Sequence, residues 1–162
     1  FLWLFRAVLV LALLLHAYAA FTLWSRANGA RLQRYAVKSA AKGAVRSKMM
    51  RWGGVALLAF IVFHLLQFTT QTITVGYTGT IEPHMRVILG FQQWWLVLAY
   101  AIWIVAVCMH VRHGVWSALT TLGANTSPGA RRFLDGLAWV IAVVLFVGFM
   151  IMPVAVLLGW IN

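Results

Sequence analysis

The chain is nearly without acid. Its 162 residues hold two carboxylates, Glu82 and Asp135, against 13 lysines and arginines, which leaves a net charge of +11. It is also short of cysteine. Cys108 is alone, which excludes an intrachain disulfide and a metal site built of cysteines only. Charge of either sign is scarce: 9% of residues are charged and 64% are hydrophobic, whereas soluble domains carry about 25% charged residues. A soluble fold of this composition would expose much of its apolar surface, so a lipid environment is implied. The positive charges avoid the long apolar runs and gather between them. That pattern fits membrane topology and anionic headgroups rather than nucleic acid, and no nucleic-acid partner is expected.

What the chain has instead is apolar length. About 20 helical residues, rising about 1.5 Å each, cross a hydrocarbon core. Four runs meet that requirement, at about 1–24, 52–71, 91–120 and 133–160. The expected fold class is all-α: an integral membrane bundle with four transmembrane helices, forming one domain over residues 1–162. The first run is too long for a signal peptide, and no small-residue cleavage site follows it. Because the chain opens inside this run, at Phe1, further sequence is expected before it.

The connections set the sidedness. Residues 25–51 carry Arg26, Arg31, Arg34, Lys38, Lys42, Arg46, Lys48 and Arg51 with no acid, which predicts the cytoplasmic side. An interfacial helix is expected in the Ala-rich middle of this stretch. Thr69 to Pro83 is polar and β-branched with one charge, Glu82, and fits the outer side. Loop 121–132, with Pro128, Arg131 and Arg132, returns to the cytoplasm. The third run, Phe91 to Gly123, exceeds a lipid width and should tilt or protrude. Pro153 should kink or break the last run. Trp24, Trp52, Trp94, Trp95 and Trp160 fall near the predicted boundaries, as in an aromatic belt. Neither an internal repeat nor a soluble domain is evident.

Four of the five histidines lie in spans, where ionisable groups usually face a bundle interior and often do chemistry. The fifth, His84, belongs to the outer region and reads as an interfacial residue. His16 is ten residues before Arg26, just past the first span, and His110 is ten before Thr120, where its span should leave the membrane; both therefore lie about 15 Å from the inner boundary at helical rise. They sit at matching depth on two helices of the same direction. Two imidazoles facing each other are what haem iron needs for bis-histidine ligation, which leaves no open position for oxygen and serves electron transfer. The alternative is an interhelical hydrogen-bonding pair. His64, thirteen residues after Arg51, lies about 20 Å from the inner boundary. It is either a polar packing residue or a ligand whose partner is on a helix outside this sequence. His113, one turn beyond His110, is a candidate contact for a macrocycle carboxylate or a quinone, with Arg112 and Ser117 nearby; otherwise it is a helix-end residue. Zinc wants three or four convergent ligands, and the spans offer no such set. A histidine–cysteine iron–sulfur centre needs two thiolates, which Cys108 cannot supply alone. Cys108 itself reads as a small buried hydrophobe.

HVRHGVWSALTTLG (His110 to Gly123), RWGGVALLAFIVFH (Arg51 to His64) and LLLHAYAAFTLWSRANGAR (Leu13 to Arg31) together resemble a known family. It is the cytochrome b membrane-anchor subunit of bacterial succinate dehydrogenase or fumarate reductase, of the single-polypeptide, five-helix type. The resemblance implies a b haem bound by His16 and His110, and a second haem with His64 as one ligand. The fourth ligand would come from the family's first helix, which this sequence does not contain. It also implies partner flavoprotein and iron–sulfur subunits carrying FAD and iron–sulfur clusters, with menaquinone or ubiquinone as electron acceptor in the bacterial inner membrane. The respiratory chain and the tricarboxylic acid cycle would be its setting. Two other readings stay open: a cytochrome b anchor for a hydrogenase or nitrate reductase, and a non-redox transport or assembly protein whose histidines relay protons.

Overall fold

The computed structural model describes residues 1–30 and 42–162. Among these it holds five helices and no strand: α1 (Leu2–Gly29), α2 (Lys42–Phe68), α3 (Pro83–Phe91), α4 (Trp94–Thr121) and α5 (Pro128–Leu157). Four are long and apolar enough to cross a membrane, namely α1, the Lys48–Phe68 part of α2, α4 and α5. The shortest of these, at 21 residues, rises about 31 Å, enough for a hydrocarbon core of about 30 Å. The chain is an all-helical, multi-pass membrane protein.

The helix ends differ from the apolar pattern, and each difference has a local cause. Both ends of the basic 25–51 stretch are helical, since α1 runs to Gly29 and α2 begins at Lys42. The interfacial helix expected in its middle, with Arg31, Arg34 and Lys38, lies outside the described residues. The second span ends at Phe68 rather than 71.

Phe91 does not open the third span; it closes α3, a helix of 9 residues. Gln93 then adopts an extended backbone, with ψ 105, and its carbonyl accepts from the N–H groups of Leu96 and Val97 at 3.0 and 3.2 Å. That is N-cap behaviour, so the span starts at Trp94. At the other end of α4, Gly123 (φ 85) accommodates a left-handed cap. Its N–H donates to Thr120 O and that of Ala124 to Leu119 O, at 3.1 and 3.0 Å, forming a Schellman motif. The last span begins earlier than 133. Ser127 Oγ accepts from the Ala130 N–H at 3.1 Å and Pro128 takes the first turn, a strong start signal that apolar pattern alone cannot show. Pro153 lies buried within α5 and does not break it, since the helix runs on to Leu157.

The described chain divides into two compact units, Phe1–Trp52 and Gly53–Asn162. In the first, α1 buries none of its residues, and Trp24 meets Trp52 edge-on at 5.6 Å with the Arg51 guanidinium 5.6 Å from the Trp24 ring. In the second, α4 supplies the core. Leu96, Val97, Tyr100, Ile104 and Cys108 are buried, and their spacing of mostly three and four residues puts them on one helical stripe. Its main partner is α5, whose buried Ala138 and Ala142 are small residues one turn apart that permit close helix approach in lipid. Val143, Val144, Val147, Phe149 and Ile151 stay exposed, as lipid-facing residues should.

The connection between α2 and α3 is tied down. Arg86 Nη1 donates to Phe68 O at 2.7 Å and its Nε to Ile81 O at 2.9 Å, while Gln71 Oε1 accepts from the Ile81 N–H at 3.0 Å. The guanidinium thus caps the negative end of α2. Gly76 (φ +80) lies against α3, where a Cβ would come within 2.3 Å of Leu89 O. Gly76→Ala is expected to cost about 1–2 kcal/mol, read as earlier loss of helical circular dichroism during SDS titration in micelles. Gly79→Ala shares the positive φ (+74) but meets nothing within 4 Å, so it isolates the collision from the backbone strain. Equal losses in the two variants would contradict the contact with Leu89.

Candidate functional site

The second unit contains a hydrogen-bonded chain of three side chains from two spans. His64 and Gln67 are three residues apart on α2 and therefore share a face; Tyr100 faces them from the buried stripe of α4. His64 Nδ1 lies 3.2 Å from Tyr100 Oη, and the Tyr100 hydroxyl donates to Gln67 Oε1 at 2.9 Å. Gln67 is 0% exposed and Tyr100 5%, whereas His64 at the head of the chain is exposed. Aromatic rings wall the hydroxyl in. Phe91, Phe60 and Phe68 lie 5.0, 5.1 and 5.9 Å from the Tyr100 ring, all edge-on. Among the described residues the Gln67 Nε2 group has no hydrogen-bond partner, a costly state for a buried donor.

The expected site residues take three different positions. His110 is half-buried on α4 and its ring approaches the backbone of α2 at Gly54, where an added Cβ would sit 3.5 Å from His110 Cε1. The glycine keeps that edge of the ring clear of a side chain. His113 is half-buried, with its ring 6.4 Å from that of Trp116. His16 is exposed on α1 and belongs to the first unit. His84 is exposed on α3, in keeping with an interfacial place, and Cys108 is buried in the apolar core.

Arg112, expected beside His113, is committed elsewhere. Its Nη2 donates to Asp135 Oδ1 at 2.6 Å, and its guanidinium carbon lies 4.3 Å from the centre of the Trp139 ring. One of the chain's two acids thus joins α4 to α5 instead of serving a cofactor. Tyr100 escaped the sequence reading. The available signal was an aromatic residue with a polar tip in mid-span, which needs a hydrogen-bond partner when buried.

Compared with family models, curated proteins and solved structures, the chain matches none.

Proposed function

We propose that the chain is the membrane-anchor cytochrome b subunit of a bacterial succinate:quinone oxidoreductase, relaying electrons from an iron–sulfur subunit to membrane quinone. The observation that carries the reading is the placement of three histidines inside apolar spans. His16 stands thirteen residues before the end of α1, His110 eleven before the end of α4, and His64 four before the end of α2. At helical rise the first two lie about 20 and about 17 Å from those ends, and His64 about 6 Å from its own. The loop charges imply that α1 and α4 cross the membrane in the same direction, which would give His16 and His110 similar depths and His64 a different one.

The residues fit the implied group. The imidazoles of His16, His110 and His64 are metal donors carried by apolar spans, and Gly54 places no side chain against the edge of the His110 ring that approaches it. His16 and His110 would hold an inner b haem, and His64 would give one ligand to an outer haem. When bound, such a haem supplies one-electron transfer at a potential set by ligand, hydrogen bonds and burial. The apolar helices would place the group in a water-poor surrounding. His113 is assigned to contact a carboxylate of the inner haem or the quinone. Arg26 and its basic neighbours would face flavoprotein and iron–sulfur subunits on the cytoplasmic side of the inner membrane, with menaquinone or ubiquinone as acceptor.

The test is optical. The purified protein should show a sharp reduced α-band of bis-histidine b haem, and succinate added to the complex with its partner subunits should reduce it. Absence of haem absorption in protein purified from haem-replete membranes would end the cytochrome reading.

A further inference from the structure

We propose that Tyr100 and Gln67 are positioning residues that hold His64 with its proton on Nδ1 and the lone pair of Nε2 open to a metal. The proposal rests on the reading of His64 as an iron ligand and adds how this chain prepares it.

The direction of the chain follows from counting protons. A tyrosine hydroxyl has one proton, and at Tyr100 it goes to Gln67 Oε1 at 2.9 Å. The Tyr100 oxygen can then only accept from His64 Nδ1, 3.2 Å away. A neutral imidazole with Nδ1–H carries its lone pair on Nε2. The orientation of the Gln67 amide decides the matter. Turned over, its NH2 group would donate to Tyr100, the hydroxyl would donate to His64, and the imidazole proton would move to Nε2. The orientation with Oε1 toward Tyr100 leaves Gln67 Nε2 buried without a partner among the described residues, and an unsatisfied buried donor typically costs about 1–3 kcal/mol. A leucine would fill the site without that cost. A glutamine there, with its oxygen turned to Tyr100, supplies the acceptor at the end of the chain.

The surroundings preserve the arrangement. Tyr100 and Gln67 are buried, and the phenylalanine rings around Tyr100 offer the hydroxyl no competing acceptor. His64 alone is exposed. A ligating histidine almost always donates its other ring N–H to an acceptor, which fixes the ring and raises its basicity. The acceptor here is a tyrosine oxygen, itself fixed by an amide.

The experiment uses the intact membrane protein and four variants: His64→Ala, Tyr100→Phe, Gln67→Leu and Gln67→Glu. In haem-depleted protein labelled with ¹⁵N-histidine, native His64 should carry its proton on Nδ1, and Tyr100→Phe should shift it toward Nε2. In haem-loaded protein His64→Ala should remove one haem. Tyr100→Phe and Gln67→Leu should weaken retention of that same haem roughly 10- to 100-fold and raise its midpoint potential, because a less basic imidazole favours ferric iron less. Gln67→Glu, which keeps an oxygen acceptor, should restore both. Should Tyr100→Phe fail to fold, the two Gln67 variants carry the comparison.

Native His64 protonated on Nε2 would overturn the proposal. So would native retention and potential in Gln67→Leu and in any folded Tyr100→Phe, where His64→Ala has removed a haem. A His64→Ala variant that loses no haem would instead remove the ligand reading on which the proposal rests. That arm tells the two failures apart.

Discussion

Replacing His110 with alanine is expected to remove the inner haem completely, and His16→Ala is expected to do the same. Bis-histidine iron loses its low-spin spectrum when either ligand goes, and His113, the next imidazole on α4, stands one turn off the level of His110. The double variant should lose no more than either single one, because both act on one group. His64→Ala should leave the inner haem intact. Haem-to-protein stoichiometry by pyridine haemochrome, with a redox titration of each variant, measures all four. An inner haem with unchanged spectrum and potential in His16→Ala would show that the depth match pairs the wrong histidines.

Asp135→Ala should destabilise the α4–α5 hairpin by about 2–3 kcal/mol. Breaking a fully buried ion pair costs about 3–5 kcal/mol because one charge is stranded. The figure is reduced here because the Asp135 side chain is 49% exposed and that of Arg112 21%, and because Trp139 keeps a hold on the guanidinium. The double variant Arg112→Met, Asp135→Leu should recover most of the loss, since it strands no charge. SDS titration in bicelles, followed by tryptophan fluorescence, gives the three stabilities. A stable Asp135→Ala protein would mean that the pair contributes nothing to joining the helices.

The four spans were legible because long apolar runs dominate every competing signal. Their ends were not, because caps set them. Ser127–Pro128 starts α5 inside what composition marks as a turn, and Gln93 interrupts a run that hydropathy joins to Phe91. The histidines stand out in the sequence as polar groups in apolar runs, and helical rise gives each an expected depth. Tyr100 and Asp135 were missed for a shared reason. Each acts on a residue of another helix, Tyr100 on His64 and Asp135 on Arg112, at separations of 36 and 23 residues. A pattern read along one helix does not show which side chains another helix brings opposite.

The bridge between Arg112 and Asp135 also bears on how the protein enters its membrane. A lone charge is among the groups least tolerated by hydrocarbon. These two lie on neighbouring helices separated by the short turn between Thr121 and Pro128, which carries its own glycine cap and serine cap. The hairpin therefore contains everything needed to bring the ions together before any other helix is present. Inserted as a pair, α4 and α5 offer the bilayer one compact dipole in place of two separate charges.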